Sequence, residues 1–360
     1  MEQFSVRTRV VSGADSLSFL GQLHGQRLLV VADPYFAENG WVERILQAAK
    51  AKESQVFARV SADPTVELAA EGTKALQAFS PDAVVALGGG STIDLAKAMV
   101  HFSGLSPCLV AIPTTSGSGS EVTDFSILTH ADVKHPLIHP KMQPDAALLI
   151  PELVAGLPPA LVADGGFDVL SHAAESFVAK NTNPMTQALA ANAFAAMFAG
   201  LPASYRGDIR VREKLHISST MAGMAFAQSG LGLCHALSHA LGGVFHIPHG
   251  RLNAILLPEV IACNAPAAGA EYAKLARVAG LGGSADTIGV RNLRNGLLRL
   301  RKELHLPATL KEAGVPPQKL WHQQGAIVEA ALRDPCMQTN PMGCEAFQLR
   351  RILEAVGGRG

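Results

Sequence analysis

An excess of charge of either sign is the first thing this chain lacks: thirty Lys and Arg balance thirty Asp and Glu. Without a net field, nucleic acid and an anionic membrane surface drop out as expected partners, because both select a basic face. A small-molecule substrate is expected instead. Cysteine is also sparse. Cys108, Cys234, Cys263, Cys336 and Cys344 are odd in number and never spaced as CxxC, which argues against a disulfide framework or a zinc knuckle. The opening MEQFSVRTRVVSG has no apolar stretch of signal-peptide type, and no unbroken run of about 18 apolar residues occurs, so a cytoplasmic protein is expected. Internal repeats and low-complexity tails are absent. What is there, 360 residues at 48% hydrophobic and 17% charged, suffices for two domains with ample cores.

Short β-branched runs alternate with helical stretches up to about residue 150, the pattern of a parallel α/β sheet. Residues 27–33, 82–90, 108–115 and 146–150 read as buried strands, and 41–53, 66–79 and 92–102 as helices. Prolines at 144, 151, 158 and 159 then break the pattern. Beyond them the strand signal fades into Ala- and Leu-rich helical sequence. The expected division is an α/β domain over 1–155 and an all-helical domain over 156–360.

Chemistry concentrates in two segments of the second half. In GGFDVLSHAAES, Asp168 and His172 are spaced i,i+4, so a helix projects both from one face. In LGLCHALSHALGGVFHIPHG, His235 and His239 repeat that spacing, and His246 and His249 follow a Gly pair. Asp168, His172, His235 and His249 have the makeup of a complete ligand set for one divalent ion. Imidazole nitrogen with one carboxylate suits Fe2+ or Zn2+, whereas Ca2+ or Mg2+ would call for oxygen. The alternative is a set of hydrogen-bonded core histidines. The donors outnumber what one ion takes, which leaves at least one histidine for protons or substrate. Cys234, next to His235, is either a thiolate ligand or a buried free thiol.

A cofactor has a candidate place in the first half. VVALGGGSTIDLAKA sets three glycines and a serine between a buried strand and a helix start, where the backbone can approach a diphosphate and the helix N-terminus attracts it. Neither GxGxxG nor a Walker A loop is present. Asp33 closes the strand RLLVVAD, a position from which a carboxylate can bond a ribose hydroxyl, or merely cap a helix. AIPTTSGSGSEVTDF adds hydroxyls and glycines after another strand.

Taken together, GGGSTIDLAKA, IPTTSGSGSEVT, GGFDVLSHAAE, AGMAFAQSGLGLCHALSHALGG and HIPHGRLNAILLP resemble the iron-containing (group III) alcohol dehydrogenases along essentially the whole chain. From FSVRTRVVSG to RDPCMQTNP, the chain is most similar to the short members that serve propanediol or ethanolamine utilisation. The resemblance implies a dehydroquinate synthase-like fold, with a dinucleotide-binding α/β domain followed by an all-helical metal-binding domain. It implies NAD(H)-dependent interconversion of a short-chain primary alcohol and its aldehyde, with Fe2+, or alternatively Zn2+, on Asp168, His172, His235 and His249. His239 becomes the non-ligand histidine near the substrate. Cofactor contacts fall on Asp33, Gly89, Gly90, Ser91, Asp94, Thr114, Thr115 and Lys134. A homo-oligomer, and association with microcompartment shell or enzyme partners, are implied in the same way. Phe167 and Val169 depart from the common GMDALTH, which leaves substrate size open. A polyol dehydrogenase or lactaldehyde reductase shares the architecture, and a non-catalytic cargo protein is the alternative outside enzymes. No role is assigned to His246.

Overall fold

The computed structural model describes residues 4–23, 26–130 and 133–358, so the outermost ends of the two expected domains lie outside the described residues. The chain forms two compact units. Ser5–Leu157 is one, and the chain from Pro158 onward, with Phe4, is the other. The expected boundary stood at 155.

The first unit begins with β1 (Arg9–Ser12), β2 (Arg27–Ala32), α1 (Pro34–Glu38), α2 (Trp41–Ala49) and β3 (Glu53–Phe57). It continues with α3 (Val66–Phe79), β4 (Ala83–Gly88), α4 (Gly90–Ser103), β5 (Cys108–Pro113), β6 (Phe125–His130), β7 (Val133–Ile138), β8 (Ala146–Leu149) and α5 (Pro151–Ala155). Six strands make one parallel sheet in the order β1-β8-β5-β4-β2-β3, and β6 and β7 pair as an antiparallel ribbon. Every residue of β4 is buried, as a central parallel strand covered on both faces requires. The pleat sorts its side chains: Val84 and Ala86 join Leu76, Ile93 and Met99 on one face, while Ala83, Val85 and Leu87 join Trp41, Val42 and Ile45 on the other.

Three features depart from the sequence reading. The helix expected over 41–53 stops at Ala49, because Lys50 turns left-handed (φ 52°) and caps it by donating to the Leu46 carbonyl. Only its last residue, Glu53, enters β3, an edge strand exposed at four of five positions that offers no apolar alternation. β1 and the β6–β7 ribbon were likewise not expected.

The second unit runs α6 (Pro159–Val178), α7 (Pro184–Tyr205), α8 (Ile209–Ser229), α9 (Leu233–Phe245), α10 (His249–Val278), α11 (Asp286–Glu303), α12 (Pro317–Arg333) and α13 (Ala346–Gly357), with no strand among its described residues. α6 is its axis, buried almost throughout and packed by α7, α8 and α10. A β-carbon at Gly250 would fall 1.9 Å from the Asp164 carbonyl oxygen, so only glycine lets the start of α10 seat against α6. Arg251 then clamps the contact with two bonds to the Asp164 carboxylate, at 3.2 and 2.9 Å. α7 and α10 are long and apolar enough to cross a membrane by length and composition, although α10 is mostly buried within the fold and kinks at Ala268.

Candidate metal centre and cofactor cradle

Asp168 and His172 share the inner face of α6, as their spacing predicts, and the packing of α6 against α9 and α10 brings up the rest. Asp168 Oδ1 lies 3.8 Å from His172 Nε2, 3.7 Å from His235 Nε2 and 3.5 Å from His249 Nε2. Asp168, His172 and His235 are buried, while His249, the first residue of α10, is partly open. His172 is held face to face between Phe226 and His235, with ring centroids at 4.3 and 4.5 Å.

The hydrogen bonds decide what this cluster can do. His235 Nδ1 is 2.7 Å from Glu175 Oε2, so its proton belongs there and Nε2 keeps a lone pair. That nitrogen is buried, has no hydrogen-bond partner among the described residues, and faces a carboxylate oxygen beyond hydrogen-bond reach. A lone pair on Nε2 aimed at that carboxylate is unfavourable unless a proton or a cation lies between them. Donors each ~2.1–2.3 Å from one centre lie roughly 3.4–3.8 Å apart, which is the spacing around Asp168 Oδ1. The residues therefore fit a single ion. Burial alone would raise the Asp168 pKa, but the imidazoles hold it well below the usual carboxylate range. Burial would likewise lower His235, yet Asp168 and Glu175 bring it up to about 9, so without an ion Nε2 carries a proton near neutrality, which a bound cation would displace.

Glu175, which the sequence reading passed over, does more than orient His235. Its oxygens also accept the Gly232 N–H at 2.9 Å and the Cys234 N–H at 2.6 Å, so it caps α9 and completes the support behind one donor. Its position seven residues after Asp168, on the same face of α6, was the available signal. Asn253 donates to Asp168 Oδ1 at 2.9 Å. Cys234 is a thiol, since burial pushes its pKa well up, and its sulfur sits 3.6 Å from Asn253 Oδ1.

His239 does not join the ion-facing set. Its ring stacks on His249 at 5.2 Å, and its Nδ1 turns to Asp334 Oδ2 at 2.8 Å. Cys336 is close by, but a 2.8 Å pair is a hydrogen bond and is too close for two ligands of one ion. His246 is exposed and ends α9 in the left-handed region (φ 53°), a cap with no part in the cluster.

In the first unit, Gly88, Gly89 and Gly90 carry the chain from β4 into α4. A β-carbon at Gly90 would meet Ser118 at 2.9 Å, and one at Gly89 would come within 3.3 Å of Thr115 Oγ1. Glycine thus lets the loop after β5 approach the start of α4 closely, and the first turn of α4 carries neither an acidic residue nor a side-chain cap. Ser91 stands in that turn, and Thr114 N–H donates to the Gly88 carbonyl at 3.0 Å. The uncapped N–H groups of a 14-residue helix suit a phosphate. Asp33 lies beside this turn: its N–H donates to the Leu87 carbonyl at 3.0 Å, while its Oδ1 caps α1 by accepting from Tyr35 N–H at 2.9 Å. Asp94 and Lys134 are engaged elsewhere. The Asp94 carboxylate is buried and accepts from the Ser120 hydroxyl and, at 3.0 Å, from Ile127 N–H, so it braces the loop after β5. Lys134 Nζ pairs with Asp63 at 2.7 Å.

A parallel α/β unit followed by an all-helical unit that gathers one carboxylate and three imidazoles is the architecture of the dehydroquinate synthase-like fold, with a donor set suited to one metal ion. The chain belongs to the iron-containing alcohol dehydrogenase family, matching its iron-containing alcohol dehydrogenase region over residues 7–151 and its C-terminal region over 162–357. It is 39% identical to a 1-propanol dehydrogenase PduQ of Citrobacter freundii, over 98% of this chain and 99% of that protein. It is 36% identical to an NADPH-dependent butanol dehydrogenase of Clostridium saccharobutylicum, over 99% and 98% of the two chains. The solved iron-containing alcohol dehydrogenase of Thermococcus thioreducens superposes with a TM-score of 0.91 at 31% identity, covering 98% of this chain and 99% of that one.

Proposed function

We propose that the protein is an NAD(H)-dependent alcohol dehydrogenase that interconverts a short-chain primary alcohol and its aldehyde, with 1-propanol and propanal as the pair. The observation that supports it most directly is the buried His235 Nε2, which has no hydrogen-bond partner among the described residues and faces Asp168 Oδ1 beside two further imidazole nitrogens. Asp168, His172, His235 and His249 would hold Fe2+, with Zn2+ second because the same donors suit it. When bound, the ion supplies Lewis-acid polarisation of the substrate oxygen, and a nicotinamide supplies or accepts the hydride. Glu175 keeps His235 in the tautomer that presents Nε2. His239 Nε2, the nitrogen not held by Asp334, gives or takes the substrate proton, a task an imidazole performs in either direction near neutrality. In the α/β unit, Gly89, Gly90 and Ser91 at the start of α4 take the diphosphate, flanked by Thr114 and Thr115, with Asp33 at the ribose. Asp94 and Lys134 take no direct part in this assignment, since Asp94 holds Ser120 and Ile127 and Lys134 pairs with Asp63.

The choice of propanal and the assignment to the cytoplasm rest on similarity, as do the homo-oligomer and the microcompartment association. A second reading of the cofactor has its own support. Asp33 already spends one oxygen capping α1, and the butanol dehydrogenase relative is NADPH-dependent. Anaerobic purification with metal analysis, followed by NADH and NADPH oxidation over two- to four-carbon aldehydes, tests all of this. Iron bound to the chain and faster turnover of propanal with NADH are expected. A chain that binds no metal and oxidises neither cofactor would overturn the proposal in favour of a cargo protein.

A further inference from the structure

Asp334 stands between α12 and the short 3-10 turn Pro335–Gln338, 95 residues beyond His239 in the sequence. Its Oδ1 accepts the Cys336 N–H at 2.8 Å, which caps that turn, and Pro335 fixes the entry to it. Its Oδ2 meets His239 Nδ1, also at 2.8 Å. With both oxygens engaged and the side chain 11% exposed, the carboxylate cannot rotate away from His239 without uncapping the turn. The ring it holds is pinned from the other side by its stack on His249, with the planes 18° apart.

We propose that Asp334 is a positioning residue for His239: by accepting the Nδ1 proton it holds the ring in one orientation and in the tautomer whose Nε2 is free for proton exchange. Asp334 touches neither substrate nor ion in this assignment and acts only through His239. The inference rests on the role given to His239 above. A carboxylate that merely tied α9 to α12 would need no particular nitrogen of the ring. An orienting one does, because Nδ1–H bonded to Asp334 is what leaves a lone pair on Nε2.

The test uses the full chain loaded with Zn2+, which is diamagnetic, with wild-type, Asp334→Asn, His239→Ala and the double variant compared at a single pH. Asparagine can still cap the turn through its oxygen, so Asp334→Asn changes the contact with His239 rather than the fold. Metal per chain should be unchanged in all four proteins. In Asp334→Asn, the nitrogen-15 signals of His239, assigned by their loss in His239→Ala, should leave the Nδ1–H pattern. The variant's kcat with propanal should fall ~10- to 10³-fold, up to the range of a lost general acid/base, while KM moves less than about twofold. In the His239→Ala background the same substitution should cost nothing further. His239 signals unchanged in Asp334→Asn would overturn the proposal whatever the rate, as would an equal kcat loss in both backgrounds. If His239→Ala alone turned over like wild type, the proton role of His239 would fail, while the tautomer signal would still decide the part played by Asp334.

Discussion

Replacing Glu175 by Gln keeps the shape of the side chain and removes only its charge, yet it should weaken both folding and the grip on the ion. The carboxylate is 2% exposed and receives three short bonds, from Gly232 N–H (2.9 Å), Cys234 N–H (2.6 Å) and His235 Nδ1 (2.7 Å). An amide has one accepting oxygen, and its NH2 group must face at least one of those donors. The least costly placement turns the NH2 toward Cys234 and orphans that single N–H, a loss of about 1.5–3 kcal/mol for a bond to a charged group. Removing the negative charge from the N-terminus of α9 adds about 0.3–2 kcal/mol. The metal-free variant should therefore be less stable by ~2–5 kcal/mol, read as a lowered midpoint in urea unfolding. His235 would retain a neutral acceptor and become a poorer base, so metal affinity should fall about 10- to 100-fold in a competition titration with a chelator. An unchanged midpoint together with affinity within about twofold of wild type would refute the assignment of Glu175 as both cap and support.

His235→Ala and His249→Ala should each lose metal and activity together, and full occupancy by elemental analysis in both would remove them from the ligand set. His216, buried on α8, is pushed down to about 4 by burial, from an ordinary 6.5. Between those values the unfolded chain binds a proton that the folded chain refuses, so stability is complete above pH 6.5 and declines as pH falls toward 4, by at most about 3 kcal/mol. The acid limb of the urea midpoint should flatten in His216→Gln, and parallel limbs would contradict this. Asp33→Gly should raise the ratio of kcat/KM for NADP(H) over NAD(H), because it removes a carboxylate that repels a 2′-phosphate. A ratio unaltered by the substitution would leave Asp33 only its cap on α1.

The strands that line the sheet interior were readable because burial on both faces leaves unbroken apolar runs, as in β4. β3 was not, since an exposed edge strand carries no such run, and the β6–β7 ribbon has no turn signal to announce it. At the metal centre, the i,i+4 spacing of Asp168 and His172 placed both on one face of α6. The identical spacing of His235 and His239 misleads if taken alone, because their rings diverge by 69° and serve different partners. The spacing of Glu175 from Asp168 put it on the right face of α6, but its partners, like that of Asp334, were illegible, because they are backbone and side chains that the fold brings from 57 and 95 residues away. Asp94 showed the opposite limit, since its motif is conspicuous while its carboxylate is spent inside the unit.

The contacts that hold the four donors are all protein contacts: Phe226 behind His172, Glu175 behind His235, Asn253 on Asp168, and the Gly250 and Arg251 seat that sets the start of α10 under His249. A small zinc-finger module collapses when its ion is stripped, because the ion is its core. Here the core is hydrocarbon, so the four donors rest on packing and hydrogen bonds that an ion would not have to supply. Stripping with a chelator should leave far-ultraviolet ellipticity intact, and reloading should need no refolding. A frame of that kind would accept Fe2+ or Zn2+ on the same donors without repacking.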